Sequence, residues 1–93
     1  MSRFIFELSK YPDNHLLSKL CTIIIERYNA ILLDKIEDLD SVYIDFEINS
    51  FKTTLHQHAM LGIELFHTNL ENPSMKEIEL VKLIGSNLKE YIK

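Results

Sequence analysis

Ser41-Val42-Tyr43-Ile44-Asp45-Phe46-Glu47-Ile48-Asn49 is the stretch on which the fold turns. Read two at a time, Val42, Ile44, Phe46 and Ile48 alternate with Tyr43, Asp45, Glu47 and Asn49, the period of a half-buried strand. Read by threes and fours, Ile44 and Ile48 open a helical stripe that runs on through Phe51, Leu55, Ala59, Ile63, Phe66 and Leu70. An isolated strand has no partner for its backbone N–H and C=O groups. The helix reading is therefore preferred, with a third helix expected from about Ser41 to Thr68, kinked or irregular before Asn49. Gly62 inside it would let a neighbouring helix come close.

Upstream, Leu17, Leu20, Ile24, Tyr28 and Ile31 recur at helical spacing, with Ser18, Lys19, Thr22, Glu26 and Asn29 on the other side. This predicts a helix from about Asn14 to Lys35, capped by Asp13 or Asn14. Leu16, Ile23, Ile25, Leu32 and Leu33 widen its apolar stripe enough for contact on two sides, as in a bundle. A shorter helix is expected over Ser2 to Lys10, where Phe4, Ile5 and Leu8 share a face. Tyr11-Pro12 ends it, because a residue before proline is pushed out of the α region. Downstream, Asn69 to Pro73 breaks the chain. Ser74 and Glu77 then form a capping box ahead of a last helix with Ile78, Val81, Ile84, Leu88 and Tyr91 on its apolar face. Glu79 and Lys82 can pair on its outer side. The expected fold is all-α: one domain over residues 1–93, an antiparallel bundle of three long helices plus a short N-terminal one.

Composition narrows the function. Ninety-three residues fit one domain, and two glycines and two prolines in that length favour long elements. A net charge of −4 suits a basic partner better than a nucleic-acid backbone. The apolar runs, Ile23-Ile24-Ile25 among them, are too short to span a membrane, and no signal-peptide pattern opens the chain. A single cysteine, Cys21, fits a reducing compartment, so the cytoplasm is the expected location.

Catalytic and metal patterns are weak. Glu64-x-x-His67 is half of a di-iron carboxylate site without its second half. His56 and His58, two apart, would diverge by about 200° on a helix. Cys21 lies on an apolar face where thiols are inert, and two glycines cannot build a phosphate cradle. The expectation is no catalytic residue, no metal and no cofactor.

The notable cluster is acidic: Asp34, Glu37, Asp38, Asp40, Asp45 and Glu47, with Tyr43 and Phe46 among them and only Lys35 opposed. A solvated corner between helices would look like this. So would a rim of carboxylates around aromatic anchors, which suits recognition of a basic protein surface. On the second reading the partner-binding residues are Asp34, Glu37, Asp38, Asp40, Tyr43, Asp45 and Glu47.

The order Leu8-x-x-Tyr11-Pro12, Leu16-Leu17-Ser18, Leu32-Leu33-Asp34, Asp38-Leu39-Asp40, Leu61-Gly62, Glu71-Asn72-Pro73 and Gly85 resembles a family. These are the small all-helical immunity proteins that neutralise NAD(P)-glycohydrolase toxins of the bacterial type VI secretion system. The similarity covers residues 8 to 86. It departs from the family in a shorter first helix, in Asn72 where an aspartate precedes the proline, and after Gly85. The resemblance implies a helical protein made beside its toxin gene, which binds the toxin domain and covers its active site. Tyr11, Pro12, Ser18, Asp34, Asp38 and Asp40 match by position. An adaptor or secretion chaperone without catalytic activity is the alternative, and a metal-dependent enzyme a third.

Overall fold

The computed structural model describes residues 4–69 and 72–92. It overturns the helical bundle. The elements are β1 (Ile5–Ser9), α1 (Asn14–Tyr28), β2 (Ile31–Glu37), β3 (Ser41–Ile48), β4 (Phe51–His58), β5 (Gly62–His67) and α2 (Met75–Lys89). The strands form one five-stranded antiparallel sheet in the order β1-β5-β4-β3-β2.

The segment expected as a third helix is three strands. The strand at 42–48 does not stand alone, as the helix reading required, but is paired on both sides. Val42 pairs with Glu37 on one side and Gln57 on the other; Ile44 pairs with Lys35 and Leu55. Asn49 and Ser50 make the link to β4 at φ 52° and 71°. Two successive positive φ values match the twist of a two-residue hairpin. Of the supposed helical stripe, Ile44, Ile48, Phe51, Leu55 and Ile63 share one sheet face by register, while Phe66 lies on the other. Ala59 is exposed in the β4–β5 turn, and Leu70 lies outside the described residues.

The other corrections are local. The first segment is strand β1, not a helix. The second helix starts where expected, with the Asp13 carboxylate accepting from the Leu16 N–H at 3.0 Å. It ends seven residues short of Lys35, because Asn29 turns left-handed at φ 53° and the chain leaves as β2. The capping box of α2 is present: Ser74 accepts from the Glu77 N–H, and Glu77 accepts from the Ser74 N–H. Lys82 lies 5.2 Å over the Phe4 ring rather than turning only to solvent.

Both helices pack on one face of the sheet. Leu17, Leu20 and Ile24 of α1 and Val81, Ile84 and Leu88 of α2 join Leu8, Ile44, Phe46, Ile48, Leu55, Ile63 and Leu65 in a single core. Burying each such aliphatic side chain contributes about 1.5–3 kcal/mol. The helices are tied at one end by Asn87 donating to the Tyr28 hydroxyl and by Arg27 donating to that of Tyr91. Gly85 packs against the Phe6 ring, and a Cβ there would enter the ring. Gly62 serves a different purpose from the one expected. It sits at φ 87°, and a side chain would strike the Ser9 carbonyl oxygen, so it lets β1, not a helix, come close. Among the described residues no helix is long and apolar enough to cross a membrane.

Candidate functional site: the open face of the sheet

The sheet has a second face that neither helix covers. The register sets its side chains in rows across the strands. One row runs Ile36, Tyr43, His56, Glu64, Glu7; the next runs Asp34, Asp45, Thr54, Phe66, Ile5. A third begins Ile31, Glu47, Lys52. Alternation requires this, since residues i and i+2 of a strand point to the same side.

The centre of this face is closely packed although no described helix or strand lies over it. The Tyr43 and His56 rings stack with centroids 4.3 Å apart, and Phe66 meets His56 edge-on at 6.0 Å. His56 is only 6% exposed and Phe66 only 9%. The Thr54 hydroxyl donates to Asp45 at 2.8 Å and is bonded to the Thr68 hydroxyl at 2.8 Å. The imidazole of His56 is held at both nitrogens, by the Glu64 carboxylate at 2.9 Å and the Ser41 hydroxyl at 3.3 Å. With the carboxylate ionised, Nδ1–H donates to Glu64.

Ser41, His56 and Glu64 thus stand in the order of a hydrolytic relay: hydroxyl, imidazole, carboxylate. Chemistry would need more than the order. A nucleophile must reach a substrate carbonyl, and N–H donors must face the developing oxyanion. Ser41 is 8% exposed, and the backbone around the relay is committed to the β3–β4 and β4–β5 ladders. In this arrangement the three groups satisfy one another and fix the Tyr43–His56 stack.

The seven acidic and aromatic positions singled out in the sequence are divided by the fold. Asp34, Tyr43, Asp45 and Glu47 come together on the open face. Asp38 and Asp40 sit in the exposed β2–β3 turn, where the Asp38 carboxylate accepts from the Leu39 N–H at 2.8 Å. Glu37, opposite Val42, points to the helix side and forms an exposed ion pair with Lys35 at 3.4 Å. Phe46 is fully buried in the core. Sequence reasoning missed Ile36, Thr54, His56, Glu64 and Phe66 as members of this surface. The alternation at 42–48, carried through the next hairpin, was the signal for them.

The metal spacings fail for the same geometric reason. Glu64 and His67 lie on opposite faces of β5, three residues apart on a strand. His67 is fully buried, donating from Nδ1 to the Asn69 carbonyl at 2.7 Å and accepting from the Phe4 N–H at 3.4 Å. His56 and His58 do share a face, with rings 6.2 Å apart. Among the described residues no three His, Cys, Asp or Glu side chains are grouped to hold a metal ion.

Beside β2 the helix layer stops short. A cavity of about 270 Å3 opens between α1 and β2, lined by Leu17, Ser18, Cys21, Thr22, Leu32, Lys35 and Ile44. Burial raises the Cys21 thiol above its ordinary pKa, and nearby Lys35 works in the opposite direction. Compared with protein-family models, with curated proteins and with solved structures, the chain matches none.

Proposed function

We propose that this protein is a binding module without catalytic activity that neutralises a cognate secreted bacterial toxin by laying its open sheet face across a basic surface of the toxin domain. The observation that carries this reading is the surface itself. Asp34, Asp45 and Glu47 flank Tyr43 and Ile36 on a face that no described helix covers. Aromatic anchors within a charged rim are the usual source of affinity in protein interfaces. Carboxylates around them speed association with a basic partner and disfavour acidic ones. The helical scaffold implied by the immunity-family resemblance is not the scaffold of this chain, so the reading rests on the surface and on the matched Asp34, Asp38 and Asp40.

The test is co-expression with the neighbouring gene product, followed by titration of purified variants against it. Rescue of growth is expected. Tyr43→Ala should weaken binding about ten-fold or more, the scale of a central aromatic anchor. Paired reversal of Asp34 and Asp45 to lysine should slow association, most strongly at low salt. Unchanged affinity in both would remove this face from the interface. An adaptor or secretion chaperone would use the same face, and would bind a product that is not toxic when expressed alone.

A further inference from the structure

We propose that two copies of this chain join through β2, antiparallel and centred on Ile36, so that their sheets become one. The proposal does not depend on the toxin reading.

The free edge of β2 fixes the geometry. The Asp38 N–H bonds to the Ser41 carbonyl at 2.7 Å, and the two strands pair from there as Glu37 with Val42, Ile36 with Tyr43 and Lys35 with Ile44. In an antiparallel ladder, backbone groups turn toward and away from the neighbour at alternate residues. Ile36 and Asp34 therefore face β3, and the N–H and C=O of Lys35 and Glu37 face outward. All residues of β2 are exposed, including Ile31, Leu32, Leu33 and Ile36, and Leu39 beyond it is 98% exposed. Open edges of this kind attract another strand unless they are blocked.

The sequence of β2 is self-complementary in one register. Centring the pair on Ile36 sets Lys35 opposite the partner's Glu37 and Glu37 opposite the partner's Lys35. Both positions carry outward backbone groups, so the two residues exchange hydrogen bonds as well as charge. Ile36 meets the partner's Ile36 at a non-hydrogen-bonded site, where side chains approach most closely. Asp34 facing the partner's Asp38 opposes the pairing, at its outer ends. Moving the centre to Lys35 or to Glu37 stacks two like charges on the axis instead. Charge and hydrogen-bond phase therefore select the same alignment.

The test is sedimentation velocity of the whole chain over a wide concentration range, with circular dichroism to confirm folding. Wild type should shift from monomer to dimer as concentration rises. Lys35→Glu alone, or Glu37→Lys alone, should weaken the dimer about ten-fold by making both cross-strand pairs repulsive. The double variant Lys35→Glu with Glu37→Lys should recover it, because each pair is again of opposite sign. These side chains are exposed, so the variants should keep the wild-type fold. A chain that stays monomeric throughout, a dimer indifferent to the single changes, or a double variant as weak as either single one would each overturn the proposal.

Discussion

The two edges of this sheet are built differently. At β1 the edge is guarded. The strand is five residues long, a register shift between Glu7 and Ser9 breaks its ladder, and Leu8 is only 2% exposed. The chain then turns away at once. The Ser9 hydroxyl donates to the Tyr11 carbonyl and accepts from the Tyr11 N–H, and Pro12 follows. The Asp13 N–H is held by Gln57 of β4 at 2.8 Å, and Gln57 also donates to Asn14. At β2 the strand is longer and wholly exposed, and α1 leaves a cavity behind it. It too carries a bulge, between Leu32 and Asp34, but the residues beyond the bulge run on regularly. Short length, a bulge and covering elements are how proteins blunt a strand edge. The β1 edge is both short and bulged. The other presents four large aliphatic side chains and a turn of carboxylates to solvent.

Substitutions at the guarded edge should cost stability and those at the bare edge should cost little. Leu8→Ala should lose about 2–5 kcal/mol of unfolding free energy in a urea titration, as full burial in a shared core implies. A loss below about 1 kcal/mol would mean that β1 is loosely docked. Gly62→Ala should lose about 1–3 kcal/mol, because a positive φ and a blocked Cβ position both oppose it. Asp13→Ala, at the N-cap that follows β1, should lose about 1 kcal/mol. Leu33→Ala on β2 should change stability by no more than about 0.5 kcal/mol. The least conspicuous effect lies in the cavity behind β2. Burial raises the Cys21 thiol, so the folded protein should react with a thiol-modifying reagent more slowly than the urea-unfolded chain, the gap narrowing as pH rises. Equal rates would mean that this cavity is as open as solvent.

The sequence made local signals readable and left pairing hidden. Asp13 and the Ser74–Glu77 box placed the starts of both helices, because a cap is a contact between near neighbours. The alternation at 42–48 was equally visible, but a strand's stability lies in partners elsewhere in the chain. Those partners were disguised. Ile31, Leu32 and Leu33 continue the apolar run of α1, and only the left-handed turn at Asn29 separates them from it. Thr53, Leu55, Gln57 and Ile63 face the helices and Thr54, His56 and Phe66 the open side, so burial on both faces erased the period of two in β4 and β5. Asn49-Ser50 is also a weaker hairpin signal than asparagine followed by glycine. For the surface, acidity was legible in composition. Which carboxylates share a face was not, because that depends on register. Asp34 and Asp45 are cross-strand neighbours, whereas Glu37 and Asp38 are adjacent in the chain and part company.

The pairing of Ile5 with Phe66 sets a schedule for the molecule as it is made. Strands β2 to β5 follow one another through short turns and can zip together as they leave the ribosome. Strand β1 emerges before all of them and has no place to go until β5 exists. Closing that long loop costs more entropy than closing any hairpin in the chain. Until it closes, β5 is itself a border of the sheet, bearing Ile63, Leu65 and Phe66 with no strand beyond it. The guarded edge is therefore the last part to be guarded, and the interval before β1 docks is when a half-made copy of this protein is most exposed to its neighbours.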